Sequence, residues 1–278
     1  MKKRIRISAN RPLITLMEGL TYTNAPHWYG VTARPLQLDL LLPRERDGLA
    51  PMPLIVWLCG GAFQTMSRSA WLPEMMAYAQ AGYVVACVDY RVTSDAPFPA
   101  AVLDVKAAIR YLRAHAASFA IDPNRVAVMG ESAGGYLACM AALADSTYDQ
   151  GDWLDQSSGV QAVVDFYGKL DMDASSMNNR ANPEIVRAFM SDLADQGRVA
   201  SPFHLVTSAS PPFLIFHGDA DPLVPIAESD QLYQALSTAG VRADYYILEG
   251  SGHGSPEFYQ PEIQRIILDF LQGTLASK

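Results

Sequence analysis

Arg125-Val126-Ala127-Val128-Met129-Gly130-Glu131-Ser132-Ala133-Gly134-Gly135 begins as a short apolar run rich in β-branched residues and ends as the opening of a helix. A run of that length, closed by glycine, reads as a buried strand, and Ala133 to Ala144 reads as the helix that follows it. Between them, Gly130-Glu131-Ser132-Ala133-Gly134 has the form G-x-S-x-G. A serine on so sharp a strand-to-helix turn must take a strained backbone, and small residues two before and two after it let strand and helix approach without Cβ clashes. The helix begins at the serine, so its first amides face any negative charge that develops there. Ser132 is therefore a candidate nucleophile, although the same five residues also describe a serine that merely caps a helix.

The alternation extends outward in both directions. Strands are predicted at Leu36 to Leu42, Leu54 to Cys59, Tyr83 to Asp89, Val160 to Phe166, Phe213 to His217 and Ala243 to Leu248. Their continuous apolar character predicts burial on both faces. Helices are predicted at Leu72 to Ala81, Pro99 to Phe119, Ile226 to Ala239 and Glu262 to Leu271. This is the pattern of an α/β protein, a mostly parallel sheet with helices on both faces. Residues 169–210 break it, with a polar stretch from Ser175 to Asn182 and a short helix expected from Pro183 to Ala194. They form the candidate cap of an otherwise single domain.

With 278 residues, half of them hydrophobic, the chain can bury a large core. A net charge of −8, with no basic run beyond Lys2 to Arg6, argues against nucleic acid or an anionic membrane as partner. The first twenty residues lack the apolar run and cleavage site of a signal peptide. Cys59, Cys87 and Cys139 sit in apolar segments without C-x-x-C spacing, which suits reduced thiols and a cytoplasmic location. The five histidines show no metal-ligand spacing, so neither metal nor cofactor is expected.

A serine needs a base, and the base needs an acid to orient it. After the strand ending at Leu248 comes Glu249-Gly250-Ser251-Gly252-His253-Gly254, which makes His253 the candidate base. The strand ending at His217 leads into Gly218-Asp219-Ala220-Asp221-Pro222, which offers two carboxylates on one loop. Either aspartate fits the order nucleophile, acid, base. Asp219, nearer its strand, could instead bond the loop's own amides. His217, on a strand end, reads as a packed structural histidine, and His27, His115 and His204 have no motif around them. An oxyanion needs inward-aimed amides. Gly60-Gly61-Ala62-Phe63 follows the strand Leu54 to Cys59, so the amides of Gly61 and Ala62, with that of Ala133, are the candidate donors. Phe63, Met66, Trp71, Tyr136 and Tyr167 lie where they could line a pocket; aromatic core packing explains any one of them equally well.

Taken together, Cys59 to Phe63, Asp89-Tyr90-Arg91, Ala96 to Ala100, Gly130 to Gly135, and His217 to Pro225 with Gly252-His253-Gly254 resemble the α/β-hydrolase esterases. The likeness is greatest to the bacterial carbohydrate acetyl and feruloyl esterases, neighbours of the hormone-sensitive-lipase group. The resemblance spans about Leu36 to Leu271 and implies the α/β-hydrolase fold. It favours Asp221 as the acid. The Asp-Tyr-Arg and Ala-Pro-Phe-Pro segments are implied to be structural, and Glu131 to bond the neighbouring loops. Cys59 stands where the family's oxyanion motif has histidine, and Ala62 where it has a third glycine. Neither change removes a backbone donor, but the anchoring bond of that histidine is gone.

The expected function is hydrolysis of small acyl esters, acetyl or feruloyl groups on carbohydrate, through a Ser132 acyl-enzyme. Its partner would be a small ester substrate such as an acylated oligosaccharide; a homo-oligomer stays open. The alternatives are an amidase or peptidase using the same three residues, and a non-catalytic ligand-binding protein on the same fold.

Overall fold

The computed structural model describes residues 1–276 except 10, 28, 29, 47, 174, 177, 179–182, 192 and 194–196. Eight strands form one sheet: β1 (Ile14–His27), β2 (Thr32–Pro43), β3 (Met52–Leu58), β4 (Val84–Val88), β5 (Ile121–Glu131), β6 (Ala162–Phe166), β7 (Phe213–Gly218) and β8 (Ala243–Leu248). Their order is β1-β2-β4-β3-β5-β6-β7-β8. The first two pairings, β1 with β2 and β2 with β4, are antiparallel, and every later one is parallel.

The helices are α1 (Leu72–Gln80), α2 (Ala100–Ala114), α3 (Ala116–Phe119), α4 (Ala133–Leu143), α5 (Pro183–Met190), α6 (Gly197–Ala200), α7 (Ala227–Thr238) and α8 (Pro261–Thr274). Successive side chains of a strand point to opposite faces, and β3 shows both being buried. Leu54, Val56 and Leu58 enter the core shared with α2, α4 and α7, whereas Ile55 and Trp57 enter the core beneath α1 and α8. This is the α/β-hydrolase architecture. The helix expected over Pro99 to Phe119 is divided at His115 into α2 and α3. The end of the helix expected at Ala194 lies outside the described residues, as do Asn182 and part of the polar stretch before it.

Two strands depart from the expected pattern. β1 was not foreseen; its residues are mostly half-buried or exposed, as befits an outermost strand paired on one side only. β8 was expected to be buried on both faces, but it closes the other edge of the sheet, and Tyr246 and Ile247 are exposed. The central parallel strands end on one side of the molecule, where an open α/β sheet binds its ligands. The loops after β3, β5, β7 and β8 meet there.

Candidate active site

Ser132 sits between β5 and α4 with φ 55° and ψ −119°. A non-glycine residue held so far from the allowed regions costs on the order of 1–3 kcal/mol, which the surrounding packing must over-determine. The close fit behind it shows how. A Cβ at Gly134 would run into the carbonyl of Leu58, so β3 and α4 can meet only because that position is glycine.

His253 reaches Ser132 from the loop after β8. The Ser132 hydroxyl and His253 Nε2 are 2.9 Å apart, and His253 Nδ1 is 2.6 Å from Asp221 Oδ2. A carboxylate oxygen only accepts, so Nδ1 carries the proton and Nε2 presents its lone pair to the serine. Asp221 Oδ1 accepts the amides of Leu223 and Val224 at 2.8 and 2.9 Å. Burial alone would raise the Asp221 carboxyl, but donors from His217 and His253 and the Val224 amide outweigh it and hold the group well below the usual carboxylate range. Asp219 does something else: its Oδ1 accepts the Gly250 amide at 2.6 Å and steadies the turn before His253.

Gly61 has φ 141°, and a Cβ there would strike the carbonyl of Thr65; Ala62 and Phe63 continue the turn at φ 53° and 59°. Among the described residues, the amides of Gly61, Ala62 and Ala133 donate to no protein group. Ala62 and Ala133 line one pocket with Ser132 and His253, while Gly61 lies one residue behind its wall. The anchoring that the missing histidine would supply comes from two other residues. Tyr90 Oη donates to the Cys59 carbonyl at 2.6 Å, and the Gly60 amide donates to Glu131 Oε1 at 2.5 Å. Burial raises the Glu131 carboxyl, a shift opposed by the Gly60 amide. The Cys59 thiol is pushed by burial to about 11, so it stays protonated at neutral pH.

The pocket holds about 570 Å³ of empty space, part of it open to solvent. Apolar groups dominate its wall: Phe63, Ile185, Leu223 and Val224. Of the aromatic residues singled out in the sequence, only Phe63 lines it. Tyr136 points from α4 into the core against Phe63 and Phe189, and Trp71 stacks on Tyr259 at 4.4 Å. Tyr167 turns its ring to His253 at 4.7 Å and pairs its hydroxyl with that of Tyr259 at 2.8 Å, so it braces the base from behind. The sequence reading missed Lys169, Asn178 and Ile185 from the 169–210 stretch, which interrupts the alternation of strand and helix. It also missed Leu223 and Val224, for which adjacency to Asp221 was the available clue.

Residues 38–236 match the BD-FAE family. The chain belongs to that family. It is 32% identical over 230 residues to Esterase LipC of Mycobacterium tuberculosis, an alignment that covers 79% of this chain and 57% of LipC. The chain thus spans little more than half the length of the curated relatives it matches. Among solved structures it is similar to a thermophilic esterase, Est2, from the Planctomycetes species Thermogutta terrifontis, with a TM-score of 0.78, 28% identity and 94% of each chain covered. It is also similar to a truncated carbohydrate esterase from gut microbiota, with a TM-score of 0.76, 27% identity, and 95% of this chain and 97% of that one covered. Est2 has been solved with butyrate and with propionate bound, and phosphorylated by paraoxon.

Proposed function

We propose that this BD-FAE chain is a serine carboxylesterase that removes short acyl groups, acetyl foremost, from carbohydrate. The observation that carries the reading is the hydrogen-bonded series Ser132, His253, Asp221 beside uncommitted amides in one pocket. Ser132 Oγ attacks the ester carbonyl carbon as its proton passes to His253 Nε2, and Asp221 steadies the resulting imidazolium. The amides of Ala62 and Ala133, with that of Gly61 beside them, hold the tetrahedral oxyanion, and the N-terminus of α4 adds its dipole. Collapse breaks the bond to the alcohol oxygen, which takes the proton from His253, and leaves Ser132 acylated. Water, deprotonated by the same imidazole, then releases the acid.

Phe63, Ile185, Leu223 and Val224 bound the space beside Ser132, which favours small acyl groups, as do the butyrate and propionate complexes of Est2. The gut carbohydrate esterase supports the sugar as the alcohol. Residues 169–210 act as a cap in this reading, since they supply Lys169, Asn178 and Ile185 to the pocket. The test is Ser132→Ala, assayed with p-nitrophenyl acetate and a fluorophosphonate probe, alongside wild-type turnover of acetylated xylo-oligosaccharide and methyl ferulate. Loss of both hydrolysis and labelling is expected, with the acetylated sugar the better substrate. Near-normal turnover by the variant would overturn the assignment, and a dominant preference for methyl ferulate would move the acyl group from acetyl to aromatic.

A further inference from the structure

His217 reads in the sequence as packing, yet the structure puts it behind the acid. It is the penultimate residue of β7 and has no exposed surface. Its Nε2 lies 3.0 Å from the Val224 carbonyl oxygen and 3.5 Å from Asp221 Oδ2. Both neighbours are acceptors, so Nε2 carries a proton and is shared between them. On the other side of the ring, Nδ1 is 2.7 Å from the hydroxyl of Ser229, a fully buried residue of α7. The Nε2 proton is thus set by its two acceptors, and the hydrogen bond between Nδ1 and the Ser229 hydroxyl ties the ring to α7.

The arrangement forms a closed loop of bonds. The Val224 amide donates to Asp221 Oδ1, while the Val224 carbonyl accepts from His217. One imidazole on a sheet strand therefore holds, through its carbonyl, the residue whose amide grips one carboxylate oxygen, and also approaches the other oxygen directly. Asp221 itself sits on the loop beyond β7, where the Leu223 and Val224 amides belong to the same loop and only His217 ties the carboxylate back to the strand. Without that restraint Oδ2 could swing from His253 Nδ1, leaving the base without its orienting partner.

We propose that His217 is a positioning residue that locks the Asp221 carboxylate in the orientation His253 requires, with Ser229 holding its ring in place. The inference rests on the esterase reading of Ser132, His253 and Asp221. It assigns His217 no contact with substrate. Its effect should therefore fall on kcat and spare KM.

The test compares wild type, His217→Leu and His217→Gln in p-nitrophenyl acetate hydrolysis, with active sites counted by fluorophosphonate labelling taken to completion and folding checked by thermal melts. Glutamine can place an amide N–H near the Nε2 position; leucine offers no donor. Per labelled site, His217→Leu is expected to lose roughly 10- to 100-fold in kcat, the scale of a small misplacement near the chemistry. KM should stay within about threefold, and His217→Gln should recover most of the loss. A merely structural histidine would instead lower the melting temperature and the number of labelled sites while leaving kcat per site unchanged, and that result would overturn the proposal. Equal defects in the two variants, at equal melting temperature, would overturn it as well. Failure of the wild type to label at all is a distinct outcome that overturns the esterase reading and this one with it.

Discussion

Asp221→Asn isolates what the carboxylate contributes, because the structure fixes how the new amide must sit. The Leu223 and Val224 amides aim at the Oδ1 position from 2.8 and 2.9 Å, so asparagine must place its carbonyl oxygen there. The reverse orientation sets an NH2 group against two N–H groups and leaves the part-buried Val224 donor unpaired, at about 1–3 kcal/mol. The asparagine NH2 then faces His253 Nδ1, where the carboxylate oxygen now lies at 2.6 Å. A donor at that point forces Nδ1 to accept, so the ring proton moves to Nε2 and points at Ser132. In that tautomer the base cannot receive the serine proton. The wrong tautomer lowers kcat by about 10⁴-fold in Ser-His-Asp triads, equivalent to about 5 kcal/mol of transition-state stabilisation. The assay is kcat on p-nitrophenyl acetate at neutral pH for Asp221→Asn and, as a control, Asp219→Asn. The control should stay within several-fold of wild type, since the Asp219 carboxylate holds the Gly250 amide rather than His253. If Asp221→Asn keeps more than about a tenth of the activity, this tautomer argument is wrong; if Asp219→Asn is the crippled variant, the acid is Asp219.

Glu131→Ala removes the acceptor of the Gly60 amide, so the oxyanion loop loses one of its two ties. A fall of roughly 10- to 100-fold in kcat is expected, largely recovered by Glu131→Gln, which keeps a carbonyl oxygen in place. Asp165, fully buried on β6, has its carboxyl raised by burial to about 7. A raised acid binds its proton more tightly in the folded state, so its share of stability is full below the unfolded pKa and falls as pH rises through the folded value. Urea melts at pH 5 and pH 8 should therefore show a smaller loss on alkalinisation in Asp165→Asn than in wild type, the difference being on the order of a few kcal/mol. An equal pH response in both proteins would contradict that assignment.

The strand-turn-helix around Ser132 was legible because three separate signals coincide there: an apolar run, glycines at fixed offsets and a helix start. The loops bearing Asp221 and His253 were legible for a similar reason, since each follows a strong strand. β1 was hidden because an outermost strand has no need of a continuous apolar run, and Ile14 to His27 mixes Thr, Glu and Asn among its apolar residues. The aromatic residues divided on a point that sequence spacing does not carry. Tyr136 is one turn past Ser132, but its side chain leans into the core rather than toward the pocket. Glu131 shows the reverse situation. Its neighbourhood to Ser132 was visible, yet its partner Gly60 is 71 residues away in the chain and becomes a neighbour only when β3 lies beside β5.

The proposed base is carried by an edge of the sheet. His253 follows β8, which pairs with β7 alone and is half exposed along its length, whereas Ser132 follows β5, which is paired on both sides. Edge elements open at lower free energy than central ones. Warming the protein should then detach the imidazole from the serine while the middle of the sheet is still intact, so that activity disappears at temperatures where the circular dichroism is still native. Reinforcing the β7 to β8 seam should then raise the temperature at which activity is lost.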